Sequence, residues 1–148
     1  MRVAIAQFEG VTTMRPLPLA AGLLVATARR SARLSQARFE IVTRRRPVAE
    51  TVERLRGTDV LGLSLYAWNE RYALAVAAQL KARSPRTRIA VGGPSVPRHE
   101  AALAAFMALH AAVDLAVLGE GEIAFRDWLE GASGIAGTAW REGRGIRL

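Results

Sequence analysis

Five short apolar segments alternate with helix-like segments, and this alternation constrains the fold more than any other feature of the sequence. The apolar segments occupy residues 2–8, 38–43, 59–65, 88–91 and 114–118. Each is followed by a stretch in which apolar residues recur at helical spacing. Strands that alternate with helices form a parallel sheet with helices on both faces, because the crossover connections are right-handed. We therefore predict an α/β fold, a doubly wound five-stranded parallel sheet.

The third segment, DVLGLSL, is apolar on both faces, as is typical of a parallel strand in mid-sheet. For five strands we expect the flavodoxin-like (Rossmann-like) order 2-1-3-4-5, in which ligands bind above the carboxyl ends of the strands. From Gly131 the sequence is rich in glycine, with one brief possible strand at residues 138–141. We divide the chain into a domain of residues 1–130 and a Gly-rich tail of residues 131–148.

Composition excludes several classes of site. There is no cysteine, so these residues form no disulfide, cysteine-held metal centre or iron–sulfur cluster. No apolar run could cross a bilayer and the first residues lack signal-peptide features, so we expect a cytoplasmic protein without a membrane partner.

The chain is basic, with a formal charge of +8. Its arginines are mostly scattered, although three of them form the run Arg44-Arg45-Arg46. No nucleic-acid-binding motif and no interleaved aromatic residues accompany them, so we expect no nucleic-acid partner.

The loops after strands one, three, four and five form the functional edge of such a sheet. The first, EGVTTMRP, contains neither GxGxxG nor GxxxxGK[ST], which argues against a dinucleotide or a nucleoside triphosphate. A response regulator would need acidic residues there and an aspartate at the end of strand three, where Leu65 and Tyr66 stand. That class is excluded.

Side chains suited to a large flat ligand follow the third strand within six residues. They are Ser64, Tyr66, Trp68 and Asn69. The alternative is structural: Asn69 caps the next helix, Ser64 is a hydrogen-bonded strand hydroxyl, and Trp68 covers the core.

Glycines follow the fourth strand. Gly92 and Gly93 remove side chains where the backbone could approach a ligand, and Pro94 and the possible donor Ser95 come next. A plain tight turn is the alternative.

The segment GEGE follows the fifth strand and contains Gly119, Glu120 and Gly121. It places two carboxylates at a helix N-terminus, where the macrodipole also gives them a structural role. Neither His99 nor His110 has an acid or a second histidine at ligand spacing. We predict no catalytic residue and no protein ligand to a metal.

Together, the segments PLPLAAGLL, DVLGLSLYAWN, LKARSP, IAVGGPSVP and VDLAVLGEGEIAF resemble the cobalamin-binding domain that precedes radical S-adenosylmethionine enzymes. The G-x-S-x-Y-x-W-N loop, the GGP turn and the GEGE turn carry the resemblance. The tail, GIAGTAWREGRGIRL, is similar to the linker between that domain and the radical barrel.

The resemblance implies a corrinoid at the carboxyl edge, with its nucleotide tail in a groove lined by the loops after strands four and five. The candidate cofactor-binding residues are Ser64, Tyr66, Trp68, Asn69, Gly92, Gly93, Pro94, Ser95, Gly119, Glu120 and Gly121.

Two motifs of related proteins are absent. The loop after strand one lacks D-x-H-x-x-G, whose histidine ligates cobalt in methionine synthase and the mutases. We therefore expect base-off cobalamin without a histidine ligand, and Trp68 as a cover for the lower face of cobalt. The CxxxCxxC cluster motif is also absent, so the chain alone does not cleave S-adenosylmethionine.

The resulting hypothesis is a cobalamin-binding module that is not catalytic alone and serves a separate radical S-adenosylmethionine methyltransferase subunit. The alternative is a regulatory or interaction domain of flavodoxin-like fold, either cobalamin-responsive or ligand-free.

Overall fold

The computed structural model describes residues 1–10, 17–143 and 145–148. The strands are β1 (Arg2–Ala6), β2 (Arg38–Val42), β3 (Val60–Ser64), β4 (Arg88–Gly92), β5 (Leu115–Val117), β6 (Thr138–Glu142) and β7 (Gly145–Arg147). The helices are α1 (Leu19–Arg29), α2 (Val48–Arg54), α3 (Glu70–Arg83), α4 (Glu100–Leu109) and α5 (Glu122–Leu129). A 3-10 turn at Ala32–Leu34 follows α1. Most of the loop after β1 lies outside the described residues.

In the described part of the chain the strands form one sheet in the order β2-β1-β3-β4-β5-β6-β7. The first five are parallel, so the predicted fold class and the 2-1-3-4-5 order are confirmed. The predicted count of five strands was too low, because β6 and β7 add an antiparallel extension beside β5. The Gly-rich tail therefore contributes two strands to the same sheet.

The α-helix after β1 ends at Arg29, and the 3-10 turn follows it almost directly. Ser31 has an extended backbone, and its hydroxyl accepts a hydrogen bond from the backbone N–H of Arg33. This local bond lies at the start of the 3-10 turn, where the α-helix has ended. Serine side chains commonly compete in this way with the backbone hydrogen bonds of a helix.

The hydrophobic core lies on both faces of the sheet. On one face, residues of α2, α3 and α4 pack against the sheet. On the other face, residues of α1 and α5 do so. All five residues of β3 are buried, as predicted for a strand covered by helices on both sides. None of the described helices is long and apolar enough to cross a membrane.

The carboxyl ends of the parallel strands meet at one edge of the sheet. A side-chain amide fastens two loops there: Asn69 Nδ2 donates to the carbonyl oxygen of Phe8, just after β1, at 3.1 Å. On the other face α1 and α5 come together, and the Leu24 side chain approaches Gly121. This edge holds the candidate site.

Candidate functional site

A groove of about 250 Å³ opens at the carboxyl ends of β3, β4 and β5, beside α1 and α5. Its strand residues are mostly small, with Gly62, Ala90 and Gly92 among them. Leu24 of α1 and Phe125 of α5 contribute larger apolar side chains. Small residues bring the backbone close to the open space, so the groove suits a ligand that packs against main chain.

The groove brings together seven of the eleven residues predicted from the sequence. These are Ser64, Tyr66, Gly92, Gly93, Gly119, Glu120 and Gly121. The other four, Trp68, Asn69, Pro94 and Ser95, lie outside its lining. The predicted loops therefore do converge, but their residues divide into a lining set and a supporting set.

Ser64 provides a hydroxyl at the end of β3. The residue is 7% exposed and lines the groove. Its carbonyl oxygen accepts a hydrogen bond from Asn69, whereas no described residue hydrogen-bonds to its Oγ. In the described residues Ser64 is thus not the self-satisfied strand hydroxyl of the structural alternative, and it can donate to a ligand.

The turn after β4 packs directly on the end of β3. Gly93 has φ +107°, and a Cβ there would lie 2.6 Å from the carbonyl oxygen of Leu65. The same oxygen accepts a hydrogen bond from the N–H of Ser95 at 3.2 Å, and the N–H of Leu65 donates to Gly92 at 2.7 Å. Close backbone packing therefore requires glycine at position 93, while Ser95 supports the turn and Pro94 is exposed.

Asn69 is a buried supporting residue. It is 1% exposed, and its Oδ1 accepts from the N–H of Tyr66 at 2.9 Å. Its Nδ2 donates to Ser64 and to Phe8, each at 3.1 Å. It stands at the N-cap position of α3, as the structural alternative expects, but its side chain makes no capping hydrogen bond. Its amide instead holds the loop that carries Tyr66.

Trp68 lies at the rim of the groove and is 58% exposed. Its indole stacks on Tyr66, with ring centroids 4.6 Å apart and planes at 11°. The indole is also close to Gly10, where a Cβ would lie 3.5 Å from its Cδ1. Trp68 therefore packs against a residue that lines the groove, and much of its apolar surface is exposed to solvent.

The GEGE turn supplies the α5 side of the groove. Gly119 has φ +73°, a left-handed conformation that favours glycine, and Gly121 precedes the first residue of α5. Glu120 is exposed, and Glu122 lies in the first helical turn, where the macrodipole stabilises a carboxylate.

Sequence reasoning missed Gly62 and the two helix side chains of the groove. A Cβ on Gly62 would lie 3.2 Å from Phe125 Cζ, so the glycine makes room for that ring. A glycine inside an apolar strand is itself a signal of close approach and could have been used. Leu24 carries no such signal, because the same pattern describes any apolar face of a helix.

Both histidines lie outside the groove lining. His99 immediately precedes α4, and His110 follows its last residue with its ring 4.6 Å from that of Phe106. Burial lowers the pKa of His110, while the carboxylate of Glu70 acts in the opposite direction. Across the described residues, no group of three or more His, Cys, Asp and Glu could hold a metal ion.

The fold is a doubly wound α/β domain with an open groove at the carboxyl edge of its parallel sheet, the edge at which sheets of this kind bind ligands. The family described as "B12 binding domain" matches residues 1–129, and the chain belongs to this family. Its cofactor is cobalamin.

The chain is similar to "Cobalamin-dependent radical SAM methyltransferase TokK" from Streptomyces tokunonensis, with 39% identity over 124 residues. The alignment covers 82% of this chain but 18% of that relative.

Two solved structures share the fold. The radical enzyme OxsB with aqua-cobalamin bound gives a TM-score of 0.71 at 16% identity, over 99% of this chain and 22% of OxsB. A cobalamin-binding protein from Desulfitobacterium hafniense DCB-2 gives a TM-score of 0.60 at 14% identity, over 89% of this chain and 59% of that protein.

Proposed function

We propose that the groove receives the nucleotide tail of cobalamin, which is therefore bound base-off. The observation that carries this proposal is the small-residue groove at the ends of β3, β4 and β5, whose lining includes Ser64 with a hydroxyl that no described residue hydrogen-bonds. At about 250 Å³ it lies below the roughly 300–1,000 Å³ typical of pockets that enclose a drug-sized ligand. It fits one part of cobalamin, and the larger corrin remains outside.

The residues present suit such a tail. Ser64 Oγ donates a hydrogen bond, and Tyr66 offers an aromatic surface. Gly92, Gly93 and Gly119 let the tail approach the backbone, because no side chain stands in the way. Asn69 acts from behind this lining, because its amide holds the loop that carries Tyr66.

Cobalt takes no nitrogen ligand from the protein in this proposal. The chain has two histidines, and both lie outside the groove lining. Trp68, exposed and stacked on Tyr66, is the large side chain beside the groove that covers the lower face of cobalt. Bound cobalamin supplies a methyl group carried on cobalt, and an apolar cover disfavours a further ligand there.

The partner is a radical S-adenosylmethionine methyltransferase on a separate subunit. The curated relative is named as such an enzyme, and this chain, which spans 18% of it, has no cysteine for an iron–sulfur cluster. Exposed apolar side chains near the groove suit a protein surface. They are Leu17, Leu19, Leu23 and Ile123. Residues 1–130 form the binding domain, and residues 131–148 are the linker-like tail, whose strands β6 and β7 extend the sheet of that domain.

Binding of hydroxocobalamin to groove variants tests whether the nucleotide tail of cobalamin lies in the groove. We expect coloured protein after gel filtration and at least about a tenfold loss of affinity in Gly92→Leu, whose side chain would fill the groove. Gly22→Leu is the matched control, because it adds the same side chain on α1 with nothing within 4 Å of its Cβ. Colourless wild-type protein, or equal affinity of the two variants, would refute the proposal.

The partner is tested separately, under anaerobic and reducing conditions. The chain alone should not cleave S-adenosylmethionine, and cleavage should appear when a cysteine-containing radical subunit is added. Cleavage by the isolated chain would contradict the separate-subunit proposal.

A further inference from the structure

The loop after β2 is fixed to α3 through one tyrosine. Tyr72 Oη donates to the carbonyl oxygen of Arg46 at 2.8 Å and accepts from the N–H of the same residue at 3.3 Å. The Thr51 hydroxyl lies 2.7 Å from it, and the tyrosine ring packs edge-on against buried Phe8. The arginine run at residues 44–46 is therefore anchored to the core.

Arg45 extends from this anchor to the loop after β3. Its guanidinium carbon lies 5.4 Å from the centroid of the Tyr72 ring, within cation–π range. Its Nη2 donates to the carbonyl oxygen of Trp68. Its Nε is buried without a hydrogen-bond partner among the described residues. Burying an unsatisfied donor is unfavourable, so the ring and carbonyl contacts are what keep this guanidinium in place.

The backbone that Arg45 holds carries the most exposed aromatic ring beside the groove. The Trp68 indole stacks on Tyr66 and lies close to Gly10. With 58% of the residue exposed, these contacts cover less than half of it. Asn69 holds the loop from the side of β1 and β3, and the bond from Arg45 to the Trp68 carbonyl adds a tie to the loop after β2.

We propose that Arg45 is a positioning residue, which fixes Trp68 so that its indole stays stacked on Tyr66 at the rim of the groove. The inference deepens the proposed function, on which its consequence for cobalt rests. In the free protein Arg45 orders Trp68, and in the holoprotein it keeps the indole over the cofactor.

A lysine does not replace this arginine. The planar guanidinium stacks on the Tyr72 ring while an N–H at its edge reaches the Trp68 carbonyl, whereas a compact ammonium does not combine both contacts in this way. Charge is therefore not sufficient, and Arg45→Lys should behave like Arg45→Gln.

The test is nuclear magnetic resonance on the full ¹⁵N-labelled chain without cofactor. In Arg45→Gln and Arg45→Lys we expect the backbone order parameter of Trp68 to fall below the value of about 0.85 that marks a rigid backbone, while that of Asn69 stays unchanged. The Trp68 indole signal, identified by its loss in Trp68→Phe, should also lose the ring-current shift from Tyr66. Arg44→Gln is the matched control, since Arg44 is exposed in the same loop. Unchanged Trp128 and Trp140 signals establish that the fold is intact.

An unchanged order parameter and indole shift in folded Arg45→Gln would overturn the inference, whether or not the protein binds cobalamin. Failure of the wild type to bind hydroxocobalamin would instead refute the proposed function, and the result in the free protein would still decide the role of Arg45. If both proposals are correct, losing Arg45 should uncover cobalt as losing the indole would. The electron paramagnetic resonance spectrum of cobalt(II) should then show a bound water in Arg45→Gln and Trp68→Ala holoprotein, and none in Arg44→Gln holoprotein.

Discussion

Asn69 Nδ2 donates a hydrogen bond to the carbonyl oxygen of Phe8 across 61 positions of sequence, at 3.1 Å. The same amide binds two backbone groups of its own loop, the carbonyl of Ser64 and the N–H of Tyr66. One buried side chain thus connects the loop after β3, which carries groove residues, to the chain that leaves β1.

Asn69→Ala should destabilise the fold because it leaves three backbone groups without their partner. We expect the free energy of unfolding to fall by about 2–4 kcal/mol, measured by urea denaturation. Gln79→Ala removes an amide from an exposed position of α3 and should have little effect. Equal stability of the two variants would contradict the role given to Asn69.

Gly93→Ala should strongly destabilise the fold although it adds only one methyl group. The Cβ would lie 2.6 Å from the carbonyl oxygen of Leu65, and φ +107° is strained for any L side chain. We expect a loss of at least about 2 kcal/mol in the free energy of unfolding. Gly92→Ala is the control, because its Cβ would meet no atom closer than 3.8 Å. A Gly93→Ala protein as stable as this control would rule out the close approach.

His110 should make stability depend on pH below its usual pKa of about 6.5. Burial lowers its pKa in the folded state, so the unfolded state binds more protons and stability falls as pH falls from about 6.5 through the folded pKa. His110→Gln should remove this part of the fall, whereas His99→Gln should keep it. Thermal melts between pH 8 and 5 measure the effect. Identical pH profiles for wild type and His110→Gln would show that burial does not shift this group.

Trp68→Ala should still bind cobalamin but admit water below cobalt, because the residue lies beside the groove and does not line it. The electron paramagnetic resonance signal of cobalt(II) in Trp68→Ala should then broaden in ¹⁷O-labelled water, because the bound oxygen carries a nuclear spin. Trp68→Phe keeps an aromatic cover and should resemble the wild type. Broadening of equal size in all three proteins would exclude Trp68 as the cover.

The sequence could predict the parallel part of the fold because each strand and helix there carries its own periodic pattern. It failed at β7, which has three residues and no pattern of its own. That strand pairs with β6, and the exposed side chains of Arg147 and Glu142 form an ion pair at 2.8 Å. Such contacts are visible only when the chain is folded.

The sequence could predict a site residue where the backbone conformation at that position admits only one residue type. Gly93 stands in a turn that only a glycine fits, and its motif identified it. The sequence does not reveal that the Asn69 amide donates to the carbonyl of Phe8, far along the chain, so it does not distinguish a ligand contact from a supporting residue. Leu24 was missed because apolar spacing cannot tell which turn of a helix stands beside an open groove.

Electron paramagnetic resonance of the cobalt(II) holoprotein tests the central claim most directly, because a nitrogen bound to cobalt splits the signal. The account predicts no nitrogen superhyperfine splitting, since the nucleotide base lies in the groove and no histidine reaches the metal. A spectrum split by nitrogen would contradict it. Loss of the splitting in His99→Ala or His110→Ala would then identify a protein ligand, and its persistence in both would identify the cofactor's own base.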